Sequence, residues 1–147
     1  MRYLKGILIA AVILLACIAP ATAANTDAQV EFEILIDEQS QNLGRAAPIY
    51  GEVRQGVTNS YTHIPNGQTL EISLTWNRAS ENDLDLYITI PNGGTSLIHD
   101  DMDGKFDGKI SLKTSLTSST VNRIWGCDVI GARVSGTQPY TLIINSY

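Results

Sequence analysis

Residues 82–94 read NDLDLYITIPNGG, and the alternation within them decides the fold. Leu84, Leu86, Ile88 and Ile90 share one parity, while Asp83, Asp85, Tyr87 and Thr89 share the other. Successive side chains of an extended chain point to opposite faces, so this period of two marks a half-buried strand. The PNGG that follows supplies Pro, Asn and Gly for a tight turn. The two aspartates need a reason, because Asp competes for local backbone hydrogen bonds and is depleted from strands.

The same period recurs along the chain. VEFEILI (30–36) aligns Val30, Phe32, Ile34 and Ile36. QTLEISLTW (68–76) sets Leu70, Ile72, Leu74 and Trp76 against Thr69, Glu71, Ser73 and Thr75. KISLKTSL (109–116) and PYTLIINSY (139–147) are similar but less regular, and in VNRIWGCDV Trp125 shares a parity with Val121, Cys127 and Val129. NLGRAAP, PNGQ, PNGG, DGKFDG and SGTQP punctuate these runs, and no window after residue 24 carries a helical stripe. The pattern predicts an all-β chain folded as an antiparallel β-sandwich of jelly-roll-like form. Trp76, Leu84, Leu86, Trp125 and Cys127 are expected in its core, and the aspartate face in water. Gly126, Gly131 and Gly136, five apart, lack the strand–turn–helix setting of a dinucleotide site and read as bulges or turns.

The first 23 residues read as a secretory signal. Arg2 and Lys5 precede an apolar run from Gly6 to Ala19, which is shorter than the roughly 20 residues that span a bilayer. Pro20 ends the run, and Ala21–Ala23 form a small-residue cleavage site. A second reading takes LLAC (14–17) as a lipoprotein box that would anchor the chain through Cys17. The apolar run continues past Cys17, which favours cleavage after Ala23. The mature chain would then hold 124 residues, enough for one domain, with eight basic and fifteen acidic residues. That balance repels phosphate backbones and argues against a nucleic-acid partner. Residues 24–48 would be a lead with one strand (30–36) and a connector, and 49–147 the sandwich proper. Cys127 is then the one remaining cysteine, so no intramolecular disulfide can form.

From Gly51 to Tyr147 the sequence resembles the bacterial and archaeal pre-peptidase C-terminal domain family. Four blocks carry the likeness in order: GVTNSYTHIPNGQTLEISLTW, NDLDLYITIPNG, HDDMDGKFDGKISL and IWGCDVIGARVSGTQPYTLIINSY. The resemblance implies a small β-sandwich of the kind appended to secreted proteases, although no protease domain accompanies this copy. It also implies calcium as a candidate cofactor, since some members bind it through acidic residues near the second block. Asp83 and Asp85 are the matching positions.

The residues themselves leave the question open. Asp83 and Asp85 lie on one face with their Cα atoms about 7 Å apart, and like charges so close need a cation, donors or solvent. Calcium takes six to eight oxygen ligands, for which Asp100, Asp101 and Asp103 of the acidic turn DDMDGKFDG would add carboxylates. The alternative is that these carboxylates accept backbone N–H groups and lock neighbouring loops. An EF-hand is excluded, because Ile110 stands where the bidentate Glu belongs and no helices flank the turn. His63 and His99 are the two histidines, and no G-x-S-x-G, H-E-x-x-H or C-x-x-C occurs. His99 reads as a surface loop residue. Tyr87, on the aspartate face, is a candidate contact for an extracellular protein or polysaccharide, and Tyr50, Tyr61 and Tyr140 are expected to be partly exposed. The sequence thus predicts an exported, non-catalytic module for extracellular binding or assembly. Its rivals are a small hydrolase using exposed carboxylates and an accessory partner of a secreted protease.

Overall fold

The computed structural model describes residues 30–35 and 46–147. The expected signal, Cys17, Ile36 and most of the connector lie outside the described residues. Nine strands follow in order: β1 (Glu33–Ile34), β2 (Ile49–Val53), β3 (Thr58–His63), β4 (Thr69–Trp76), β5 (Asp83–Ile90), β6 (Gly94–Ile98), β7 (Lys109–Ser115), β8 (Trp125–Arg133) and β9 (Gln138–Ser146). A 3₁₀ turn, Asp100–Asp103, joins β6 to β7.

The strands form two antiparallel sheets, β1-β7-β4-β9-β2 and β3-β8-β5-β6. Their pairings nest around the β5–β6 hairpin: β4 with β7, β3 with β8, and β2 with β9. One long antiparallel ribbon has therefore been wound into two layers, which is the jelly-roll arrangement. β1 extends one edge by pairing with β7. Pro91–Gly93 closes the central hairpin, and Asn92 and Gly93 both adopt the positive φ that such residues tolerate.

The core is the set that the period of two selects. Leu84, Leu86 and Ile88 of β5, Trp125, Cys127 and Val129 of β8, and Leu70, Ile72, Leu74 and Trp76 of β4 are all buried. They meet Ile110 and Leu112 of β7 and Leu142 and Ile144 of β9. Each indole N–H, which would be unsatisfied in such a core, finds a carbonyl: Trp76 Nε1 donates to Asn82 O at 3.0 Å and Trp125 Nε1 to Thr120 O at 3.1 Å. Burial pushes the Cys127 thiol up to about 12, the state of an inert small hydrophobe.

Expectations of exposure are corrected at three residues. Parity assigned Glu71 and Ser73 to the wet side of β4, yet both are buried. Ser73 exchanges a hydroxyl hydrogen bond with Ser111 across the ladder (3.1 Å), and Glu71 Oε2 accepts from the Tyr147 hydroxyl (3.2 Å). Tyr140 is core, not partly exposed. Its ring fills the space over Gly51, where a Cβ would overlap it, and its hydroxyl meets those of Tyr61 (2.6 Å) and the Asn59 amide (2.8 Å). Near the N-terminus, among the described residues, β1 covers Glu33–Ile34, and Leu35 is buried while its N–H donates to Ser111 O. The glycine reading holds for two of the three positions, since Gly126 sits in regular pairing within β8 between Thr62 and Thr89. Gly131 lies beside a bulge between β5 and β8 and packs against the Arg54 carbonyl, and Gly136 occupies a turn with positive φ.

Candidate functional site

The β5–β6 register positions the site. Leu86 pairs with Ile98, so the next rung sets Asp85 opposite His99. His99 Nδ1 and Asp85 Oδ1 are 2.7 Å apart, with Asp85 largely buried and His99 about half exposed (side chains 12% and 47%). His99 is thus an exposed loop residue that is also tied to a carboxylate. Adjacent residues at a strand end still face opposite ways: His99 turns out to Asp85, and Asp100 turns in.

Asp100 is 2% exposed and serves the loop between the 3₁₀ turn and β7. Its Oδ2 accepts from Gly108 N and its Oδ1 from Lys109 N, each at 3.1 Å. Burial pushes its carboxyl above the ordinary range, while the two amide donors pull it back. Gly108 holds a positive φ under the Trp76 carbonyl, which fixes the backbone from which that N–H points. Asp103 makes a smaller version of the same contact, its Oδ1 accepting from Lys105 N at 2.9 Å.

Asp83 and Asp101 have no side-chain hydrogen bond among the described residues. Burial raises the Asp83 carboxyl, the charge of Asp85 raises it further, and Arg133, its partner across the bulge, opposes both. The five aspartates thus divide. Asp100 and Asp103 hold the turn backbone, Asp85 holds His99, and Asp83 and Asp101 contribute charge at the rim. Among the described residues, no three His, Cys, Asp or Glu side chains converge where a metal ion would sit. Tyr87 is half-buried on the outward face, between Leu97 of β6 and Asp128 of β8.

Asn82 was passed over by the sequence reading. It is fully buried at the start of β5, where Nδ2 donates to Gln138 Oε1 (2.6 Å), Oδ1 accepts from Ser135 N (2.8 Å), and its carbonyl receives the Trp76 indole. An Asn before alternating residues is a weak signal, and its side-chain partners lie more than fifty positions away. The Asp85–His99 pair was legible by counting. With Pro91–Gly93 as the loop, rungs 90/94 through 85/99 follow from the antiparallel register.

No hydroxyl or thiol among the described residues bonds His99 Nε2. His63 Nε2 lies 3.2 Å from Ser146 Oγ, but that hydroxyl donates to Asn66 Oδ1 at 3.0 Å and no carboxylate bonds the other ring nitrogen. Burial also lowers the basicity of His63.

His99 makes a testable pH device. Its hydrogen bond to Asp85 raises its affinity for a proton above that of an ordinary histidine. A histidine favoured as the cation in the folded state stabilises fully below its unfolded pKa of roughly 6.5, and loses that contribution as pH rises through the higher folded value. The midpoint difference between wild type and His99→Gln is therefore expected to be widest near pH 6 and to shrink above this window. A difference that stays constant with pH would remove the ion-pair role.

No helix among the described residues is long and apolar enough to cross a membrane. Neither the family models nor the curated proteins searched match this chain.

Proposed function

We propose that the chain is an exported, non-catalytic β-sandwich module of the pre-peptidase C-terminal type, acting in extracellular binding or assembly. The observation that carries this reading is the commitment of the acidic cluster to the fold. Asp100 spends both oxygens on backbone amides, Asp103 accepts a third, and Asp85 is held by His99, so these carboxylates serve the fold. The signal-like start places the work outside the cell, free or at the surface, with lipid attachment at Cys17 as the less favoured form. Extracellular protein and polysaccharide are the partner classes that suit an acidic, hydroxyl-rich surface.

A structural calcium is a second reading, favoured by the raised Asp83 carboxyl beside Asp85 and Asp101. An ion there would use Asp83 and Asp101, with carbonyl and water oxygens completing the shell. Labelled protein incubated with washed cells of the producing organism tests the main reading. Saturable retention is expected. Turnover of polysaccharide or peptide substrates, lost in Asp85→Asn with the fold intact, would replace this reading with a hydrolase. Recovery of a stoichiometric secreted protease on the protein would make it an accessory partner.

A further inference from the structure

The outward face of the five-stranded sheet carries a second feature, far in register from the aspartates. Tyr50 and Glu52 of β2 point outward on one parity. The ladder sets Tyr50 beside Thr141 and Thr141 beside Thr75, and sets Glu52 beside Pro139. Asn77, which follows Trp76, continues this second row. The six side chains border an open depression of about 580 Å³, floored by the backbone of Gly51, Trp76 and Tyr140. That volume falls within the range of roughly 300–1,000 Å³ typical of small-ligand sites.

The chemistry of the lining narrows the occupant. Tyr50 is 77% exposed, the most exposed of the large apolar or aromatic side chains described, and it sits on an edge strand where core packing does not require it. Its ring offers an apolar plane with a polar tip. Around it stand groups with unused hydrogen-bonding capacity. Asn77 Oδ1 accepts from Gln138 Nε2 at 2.8 Å, which leaves the Asn77 amide N–H groups to donate outward. The Glu52 carboxylate, with no side-chain partner among the described residues, accepts from two hydroxyls at once. Thr75 and Thr141 both donate and accept. No cationic side chain lines the depression, so an anionic ligand would meet one uncompensated carboxylate. A peptide would need apolar pockets for alternate side chains, and none opens here. A sugar ring presents C–H groups on one face and vicinal hydroxyls at its edge, which is the complement of one ring flanked by a carboxylate, an amide and two hydroxyls.

We infer that this depression binds a neutral polysaccharide, with Tyr50 stacking on a sugar face and Glu52 and Asn77 engaging its hydroxyls. The inference rests on the binding-module reading and gives it a site and a ligand class. Affinity electrophoresis of the full chain through gels containing soluble neutral glucan, mannan or galactan tests it, with Tyr50→Ala, Glu52→Gln and Tyr87→Ala beside wild type. Each substitution is at the surface, and circular dichroism checks the fold. Retardation by at least one polymer is expected, reduced at least tenfold in apparent affinity by Tyr50→Ala, weakened by Glu52→Gln and unchanged by Tyr87→Ala. Retardation lost in Tyr87→Ala but kept in Tyr50→Ala would overturn the inference and move binding to the opposite sheet. No retardation by any of the three polymers would also overturn it. If cell retention nevertheless persists in Tyr50→Ala, the module reading survives and its partner is a protein. If cell retention fails as well, both fall.

Discussion

Trp125→Ala is expected to destabilise the protein by about 3–5 kcal/mol, the loss typical of a large aromatic removed from a packed core. The indole is 1% exposed and stands at the start of β8, where it contacts both sheets' apolar layer. Two further contacts go with it. Its N–H bond to Thr120 O anchors the loop before β8, and Phe32 meets it edge-on, with centroids 6.4 Å apart and an interplanar angle of 84°. Such an aromatic pair contributes roughly 0.5–1.5 kcal/mol beyond area. The variant should therefore loosen the β1 edge as well as the core. Urea unfolding measures the total, and a loss below about 1 kcal/mol would contradict the core assignment.

Asp100→Ala carries the second large effect. Removing the carboxylate strands the N–H groups of Gly108 and Lys109 inside the turn. A buried donor left unsatisfied costs about 1–3 kcal/mol, and relief of the buried charge offsets part of the sum, which points to a net loss of about 2–4 kcal/mol. Asp100→Asn should lose roughly half as much, because its one carbonyl oxygen replaces one acceptor while its NH₂ faces the other donor. Amide exchange supplies the local readout. Gly108 and Lys109 should both lose protection in Asp100→Ala and one of them in Asp100→Asn, while the centre of β4 keeps its own. Unchanged protection at both amides would remove the lock.

The sequence carried the core because parity is a local property. Trp76, Leu84, Leu86, Trp125 and Cys127 are buried for the reason that their alternation suggested. It carried less of the sheet order, since the nested pairing of β2 with β9 and β3 with β8 joins residues far apart in the chain. The misplacements have a common cause. Glu71, Ser73 and Tyr140 were judged by polarity, yet each finds a hydroxyl partner far along the chain, although Glu71 Oε1 stays buried without one. The acidic cluster was legible as a cluster but not as a set of jobs. Asp85 acts through a hairpin register, whereas Asp100 acts through a 3₁₀ turn whose closure on β7 no spacing rule announces.

The central claim is that Asp85, Asp100 and Asp103 are committed to a histidine and to turn backbone. Thermal unfolding of the purified protein in calcium, in magnesium and in a chelator tests it most directly. The account predicts coincident midpoints in all three, with the Asp100→Asn loss the same in each. A site filled at a hundred times its Kd adds about 2.7 kcal/mol. A calcium-specific rise on the order of 4–8 °C, abolished by Asp83→Asn, would contradict the account and make the rim of this cluster a cation site.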